Sequence, residues 1–368
     1  MTKPTLIISN YDSLTNPYYA GGGAVAIHEV AKRLTRSFLV TVITAAHPHS
    51  KNKMLDRVKY VHIGPTFVGP RLGQLIFLAL LPFFAIKEKY AIWVESFTPP
   101  FASLFLNLFT QKPVIGLTHL LPALDMERKY HLPFHLIENL ILKSRQRFIV
   151  LSHELAHYVK KINPTARITI IPNGVYLPKI AKNTSPAHIL FIGRLEFNQK
   201  GLDLLLSAYA KAASKSIPHL LIAGSGSSSD VSQIRTLINS YGLGAKVKLV
   251  GKIHGARRDA IYRNSLFVIL PSRYEAFSLV ALETLSYGLP LLCFNITGLK
   301  WIPKTACCKV PAFNVQKLSQ AITSLSTHPI LRRSIGKKAL LQAKKYNWDA
   351  VGKKFQTTLL QALSTSHA

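Results

Sequence analysis

Cysteine and acidic side chains are both scarce in this 368-residue chain. The three cysteines are Cys293, Cys307 and Cys308, an odd number with two adjacent and no C-x-x-C spacing. That excludes a disulfide framework and a zinc knuckle, and a reducing compartment is expected. Asp and Glu total 16 against 46 Lys and Arg, a formal charge of +30. A field of that size attracts phosphates, nucleic acid or anionic lipid. No basic tail carries it; both halves of the chain are positive. Long apolar runs are absent as well. The longest, residues 75–86, contains Pro82 and falls short of the roughly 17–25 residues that a spanning helix needs, so it reads as a buried or interfacial segment. The apolar burst after Met1-Thr-Lys-Pro stops at Asn10 and Asp12, too soon for the apolar core of a signal peptide; a cytoplasmic chain is expected. What is abundant is core-forming material: 48% of residues are hydrophobic, enough for two domains of ordinary size.

Short aliphatic bursts alternate with longer amphipathic stretches. Strands are expected at 5–9, 39–44, 91–95, 113–118 and 147–151, with helices at 24–35 and 154–161. This alternation marks a parallel sheet with helices on both faces. After 168–171 comes Pro-Asn-Gly at 172–174, then a Pro/Lys/Asn/Ser stretch that lacks apolar periodicity. The expected organisation is an N-terminal Rossmann-like domain over 1–174, a linker over 175–186 and a second Rossmann-like domain over 187–345. An amphipathic C-terminal helix in 346–368 is expected to cross back to the first domain. Two such halves place a ligand between the carboxyl ends of their strands.

Four groups of residues sit where chemistry is expected. Gly21-Gly22-Gly23 lies between the first strand and the first helix, where glycine lets backbone N–H groups approach an anion; it also suits a plain flexible loop. Arg194 and Lys200 flank the loop Gly193-Arg194-Leu195-Glu196-Phe197-Asn198-Gln199-Lys200-Gly201 after a strand. A guanidinium fork and a compact ammonium suit a diphosphate, although two basic residues in a loop of so basic a chain also fit a solvated surface. Glu275 and Glu283 are two of few acidic residues in the second half. Glu275 precedes a helix expected to start near Phe277, whose free N–H groups would face a ligand. Glu283 is bracketed by Leu282 and Leu285, where an unpaired charge is costly. His119 follows an apolar strand in Gly116-Leu-Thr-His-Leu-Leu-Pro. No G-x-S-x-G elbow, D-x-D pair or Asp/Asn calcium loop occurs, so a Ser–His–Asp set and a metal bridging a diphosphate to paired aspartates are unsupported.

Taken in order, these segments resemble the family 4 retaining glycosyltransferases. The matching pieces are the glycine loop, Thr118-His119, Ile149-Val-Leu-Ser152, Ile171-Pro-Asn-Gly174, Phe191-Ile-Gly-Arg-Leu195 with Lys200-Gly201, Leu221-Ile-Ala-Gly224-Ser-Gly226, Val250-Gly251 and Glu275 to Glu283. The resemblance implies the α/β GT-B fold: two Rossmann-like, doubly wound parallel-sheet domains facing across a cleft. It implies a nucleotide-diphosphate sugar donor and transfer with retained anomeric configuration. Arg194 and Lys200 would hold the diphosphate, helped by backbone N–H groups around Phe277, Ser278 and Leu279 and by Gly21, Gly22 and Gly23. Glu283 would take the ribose hydroxyls, Glu275 the hydroxyls of the transferred sugar, and His119 would sit beside that sugar. Lys252 and Ile253 would line the base pocket. No cofactor and no metal are expected. The sequence departs from the family pattern at Ala276 and Ser278, where glycine is frequent, and at Leu120, where an acidic residue is often seen.

The charge, together with residues 75–86 bounded by Arg71, Lys87 and Lys89, points to a protein resting on an anionic membrane, where each basic residue near the surface adds on the order of 1 kcal/mol. The expectation is a peripheral enzyme at the inner face of the cytoplasmic membrane, extending a lipid-linked or lipopolysaccharide-type glycan. A GT-B-like sugar-nucleotide epimerase is the alternative within the fold. A non-enzymatic nucleic-acid binder is suggested by charge alone, with no RNA- or DNA-binding signature beside it.

Overall fold

The computed structural model describes residues 3–16, 22–97, 102–103, 106–119, 121, 123, 127, 131–178, 186–212 and 217–365. The chain divides into two compact units, one made of 1–174 with 348–368 and the other of 175–347. Of the expected linker, residues 179–185 lie outside the described residues, as does Gly21.

The first unit is built on an eight-stranded sheet. Its elements in chain order are β1 (Thr5–Asn10), α1 (Gly22–Leu34), β2 (Leu39–Ala45), β3 (Lys53–Leu55), β4 (Val58–Ile63), α2 (Pro70–Lys87), β5 (Ile92–Phe97), β6 (Val114–Thr118), α3 (Phe134–Lys143), β7 (Arg147–Val150), α4 (His153–Ile162) and β8 (Arg167–Ile170). The strand order is β3-β4-β2-β1-β5-β6-β7-β8, parallel throughout except for the β3–β4 pair. Strands β5 and β6 are buried along their whole length, and β1 from Leu6 onward, because both faces of a parallel sheet are covered and no solvent face imposes alternation. One face packs Leu6, Ile8, Val40 and Val42 against Ala26, Ile27 and Val30 of α1. The other packs Ile7, Ile43 and Trp93 against Phe77, Leu81 and Ala85 of α2.

Residues 75–86 are therefore neither wholly buried nor wholly interfacial. They form most of α2, with Phe77, Leu81 and Ala85 on the sheet at helical spacing while Leu75, Phe83 and Ile86 are exposed. Pro82 sits inside that helix. Among the described residues, no helix is long and apolar enough to cross a membrane.

The second unit holds a six-stranded, fully parallel sheet in the order β11-β10-β9-β12-β13-β14. Its elements are β9 (His188–Ile192), α5 (Leu202–Ala212), β10 (His219–Ala223), α6 (Ser228–Ser240), β11 (Val247–Gly251), α7 (Gly255–Arg263), β12 (Ser265–Leu270), α8 (Leu279–Ser286), β13 (Leu291–Phe294), β14 (Cys308–Val310), α9 (Val315–Thr327) and α10 (Pro329–Ala343). A final helix, α11 (Trp348–Ser364), returns to the first unit. There Val351, Phe355 and Leu359 join the core beside α1.

Each sheet has one place where the order of connection reverses. In the first unit it lies between β1 and β5, in the second between β9 and β12. Loops leaving adjacent strands on opposite sides of the sheet part there and open a crevice at the carboxyl ends.

Candidate active site

In the second unit the reversal puts the loop after β9, residues 193–201, beside the loop after β12, residues 271–278. The Arg273 N–H donates to the Gln199 carbonyl at 2.9 Å, and the Arg273 guanidinium forks onto Asp203 at 2.8 and 2.5 Å. Gly201 makes the close approach possible. Its φ is +63°, and a Cβ there would overlap the Pro271 carbonyl. The first loop is also tied to its other neighbour, with the Gly193 and Leu195 N–H groups donating to Ala223 O and Ser225 O at 3.0 and 2.8 Å.

This arrangement brings Lys200 onto Glu275. The Lys200 ammonium donates to Glu275 Oε1 at 2.6 Å, with side chains 15% and 9% exposed, and Ser272 Oγ donates to the same oxygen at 2.8 Å. Arg194 is exposed and donates to Gln199 Oε1 at 3.0 Å. Its charge is thus free of any carboxylate partner among the described residues.

Beyond Glu275 the chain turns through Phe277 and Ser278 into α8. Ser278 has φ +60°, ψ 99°, a backbone region that costs an ordinary residue about 1–2 kcal/mol and glycine almost nothing. The departure from glycine at 278 is therefore a strained one. The serine hydroxyl compensates in part, accepting the Ala281 N–H at 3.3 Å as a helix cap. Just after it, Leu279 and Val280 open the helix, where N–H groups have no intrahelical acceptor. Phe277 is buried, its ring stacked on Trp301 at 4.5 Å and 11°, and its carbonyl accepts the Trp301 indole N–H at 2.8 Å. Behind Glu275 the backbone of Gly298 approaches so closely that a Cβ there would overlap the Glu275 carbonyl.

Glu283 has the partners that its apolar flanks require. Its Oε2 is paired with Arg258 of α7 and accepts the Tyr262 hydroxyl at 3.1 Å. Tyr262 in turn stacks on Tyr287 at 4.6 Å and 7°. Burial, and then the Glu283 charge, push the Tyr262 hydroxyl well above its ordinary pKa, so it stays a donor. After β11, Lys252 is exposed and Ile253 is buried; the Gly224 N–H donates to Gly251 O at 2.9 Å and joins that loop to the one after β10.

In the first unit, His119 follows the carboxyl end of β6, and the start of α1 abuts it. A Cβ on Gly23 would sit 4.0 Å from His119 Cδ2. Among the described residues, His119 Nε2 is buried with no hydrogen-bond partner. Burial lowers the imidazole to about 4, so near neutral pH it is an uncharged group. Gly22 opens α1 and is exposed.

Several supporting residues carry no signal in the sequence: Arg258 and Tyr262 behind Glu283, Ser272 behind Glu275, and Trp301 behind Phe277. The stretch His153-Glu154-Leu155-Ala156-His157 does have a recognisable spacing, the H-E-x-x-H of zinc hydrolases. It occupies the first turns of α4 with both histidines exposed. Among the described residues, no group of three or more His, Cys, Asp or Glu is placed to hold a metal ion.

Two family models match the chain: "Glycosyltransferase Family 4" over residues 20–177 and "Glycosyl transferases group 1" over residues 175–342. An uncharacterised glycosyltransferase of Methanocaldococcus jannaschii is 30% identical over 168 residues, 45% of this chain and 42% of that protein. The chain spans less than half the length of the curated relatives it matches first. Among solved structures, a sucrose-phosphate synthase from Thermosynechococcus elongatus superposes with a TM-score of 0.81 at 20% identity, covering 98% of this chain and 100% of the other. Anabaena HepE, solved in complex with UDP and glucose, gives 0.74 at 15% identity, covering 97% and 99%. The fold is GT-B, and the class is that of the glycosyltransferases. Within it, the chain belongs to the family 4 glycosyltransferases.

Proposed function

We propose that the protein transfers a hexose-type sugar from a nucleoside-diphosphate sugar, with retention of anomeric configuration and without a metal, to a glycan or lipid-linked acceptor of the cell envelope. The observation that carries this reading is the pairing of Lys200 with Glu275 beside the capped start of α8. There a cation, a carboxylate and unpaired helix N–H groups meet at the reversal of the sheet. Lys200, Arg194 and the N–H groups around Phe277, Ser278 and Leu279 would hold the diphosphate and take up the charge that develops as it leaves. Electrostatic stabilisation of this kind usually contributes more to an enzyme's rate than any other effect, and one lost donor costs about 10²–10³ in rate. Glu275 would accept hydrogen bonds from the sugar hydroxyls and Glu283 from the ribose, with Lys252 and Ile253 beside the base. The leaving diphosphate would take the acceptor's proton, so no side-chain base is required. Gly21, Gly22, Gly23 and His119 would have the roles toward the donor that the family resemblance implies. HepE, a protein of the same fold that binds UDP and glucose, supports a nucleotide-sugar donor.

Thermal unfolding with UDP, GDP, ADP and their hexose conjugates, beside tripolyphosphate, tests this. A ligand at about 100 times its Kd adds about 2.7 kcal/mol of stability. One nucleotide should stand out, and its effect should vanish in Arg194→Ala and Glu283→Ala. Equal shifts with tripolyphosphate, unchanged in both variants, would overturn the assignment. A sugar nucleotide converted to a new epimer without acceptor would replace transfer with epimerisation.

The exposed Leu72, Leu75, Phe83 and Ile86 of α2, next to exposed Lys87 and Lys89, support a peripheral position on an anionic leaflet, which we assign to the inner face of the cytoplasmic membrane. Flotation with anionic liposomes at about 0.15 M salt checks it; an unbound protein would remove the membrane from the proposal.

A further inference from the structure

The first unit contains a second basic site, at the opposite ends of its strands. A cavity of about 350 Å³ lies between the sheet and the last turns of α11, lined by Arg147, Arg167, Thr169, Thr358, Gln361 and Thr365 among others. That volume is within the range of small-ligand pockets, which starts near 300 Å³. Arg147 and Arg167 are the first residues of β7 and β8 and stand directly in register on these parallel neighbours. Strand neighbours lie about 4.8 Å apart, and like charges directly opposite destabilise a sheet. Alternation of side chains puts Arg147 on the same face as Ile149, and Arg167 on the same face as Thr169. Ile149 belongs to the core that α11 covers. Where α11 ends, that covered face changes from aliphatic to arginine and hydroxyl.

One of the two guanidiniums has a structural explanation. Arg147 donates to Thr365 Oγ1 at 2.8 Å, just past the carbonyl end of α11, where a cation complements the helix dipole. Arg167, which is exposed, has no such partner among the described residues. Among the described residues, neither arginine is paired with a carboxylate. Burial, and then the Arg167 charge, hold the Arg147 guanidinium below its ordinary value. Among the described residues, no negative charge lies between these two in-register cations.

We infer that this pocket binds a phosphate group, as free phosphate, a phosphate monoester or a lipid headgroup, with Arg147 and Arg167 as the paired cations and Thr169 as a hydroxyl donor. Fork-shaped guanidiniums suit the tetrahedral oxyanion. The pocket is separate from the candidate active site. Ile115 lines it near the amino end of β6, while His119 follows the carboxyl end of the same strand, four extended residues or roughly 13 Å away. The inference does not depend on the proposed transfer reaction.

Calorimetric titration of the full chain carrying Arg194→Ala and Lys200→Ala, which removes competition from the second unit, tests it with inorganic phosphate and with glycerol 3-phosphate. Binding should saturate at one site. Arg167→Gln should weaken it at least tenfold, and Arg36→Gln, at an exposed arginine elsewhere on the unit, should leave it unchanged. In phosphate-free buffer, Arg167→Gln should unfold no earlier than its parent, because it relieves a repulsion. Equal affinity in the two glutamine variants, no saturable binding, or a lower unfolding temperature of Arg167→Gln without phosphate would overturn the site. Vesicles of phosphatidylcholine with phosphatidic acid identify the source. Arg167-dependent retention on vesicles assigns a lipid headgroup, and Arg167-dependent binding of the soluble esters alone assigns a free one.

Discussion

The Lys200–Glu275 pair joins the two loops of the candidate active site, and a double-mutant cycle measures it. At 2.6 Å and an effective dielectric of about 20, the direct attraction is about 6 kcal/mol. Most of it is offset by removing two largely buried charges from water, and hydrogen bonds to charged groups leave about 1.5–3 kcal/mol net. We expect a coupling energy near 2 kcal/mol from urea unfolding of the parent, Lys200→Met, Glu275→Gln and the double variant. Lys200→Met alone should cost about 3 kcal/mol, at the low end for a broken buried pair, since the lysine keeps some solvent contact. The Ser272 hydroxyl, which donates to Glu275 at 2.8 Å in the parent, should remain as a partner of the carboxylate in that variant. Glu275→Gln then separates binding from chemistry. Freed of its carboxylate, Lys200 should hold a nucleoside diphosphate as tightly as the parent or better, measured by calorimetry, while sugar transfer drops by about 10² or more. Additive single variants within about 0.5 kcal/mol, or a diphosphate affinity that falls in step with transfer, would refute this account of the pair.

Three further outcomes follow from the geometry. Ser278→Gly should stabilise the protein by about 0.5–1 kcal/mol in chemical denaturation by relieving the positive φ, whereas Ser278→Ala keeps the strain, loses the cap and should cost about 1 kcal/mol. Gly298→Ala should displace the Glu275 loop, lowering transfer activity more than tenfold and stability by at least about 1 kcal/mol; wild-type kinetics in this variant would exclude the close approach. Burial lowers both His119 and His62 to about 4 from 6.5. Their folded-state pKa values are depressed, so this stability is fully present above pH 6.5 and is lost as pH falls toward about 4. Buried His119 contributes on the order of 3 kcal/mol over that interval, and half-buried His62 less, because solvent screens it; the acid slope should flatten in His119→Asn, measured as unfolding free energy against pH.

Much of the fold is legible in the sequence because strands buried on both faces leave uninterrupted aliphatic runs, as in Leu6-Ile7-Ile8 and His188–Ile192. The β3–β4 hairpin is hidden by its turn. Asp56 and Arg57 both take positive φ, 49° and 64°, without the glycine that normally announces such a turn. Helices α9 and α10 lie outside the strand–helix alternation, and their marks are local ones: Asn314 caps the first, and Pro329 opens the second. At the site, Arg194, Lys200, Glu275 and the start of α8 are readable because each follows a strand at its carboxyl end. The partners of Glu283 are not, since Arg258 and Tyr262 lie on a different helix, and nothing in their spacing tells which carboxylate they face. The in-register Arg147 and Arg167 are invisible for a similar reason: register is a property of the assembled sheet.

The second unit begins and ends at one spot. Val175 and Asn347 form a parallel bridge, and the Val175 N–H donates to the Tyr346 carbonyl at 2.7 Å. In the order of the chain, this unit is therefore an insertion, a closed cassette whose entry and exit strands are already side by side. Joining those ends would take a linker of only a few residues, with little loop entropy to overcome. Residues 175–347 thus form a natural unit for excision, circular permutation or exchange between relatives.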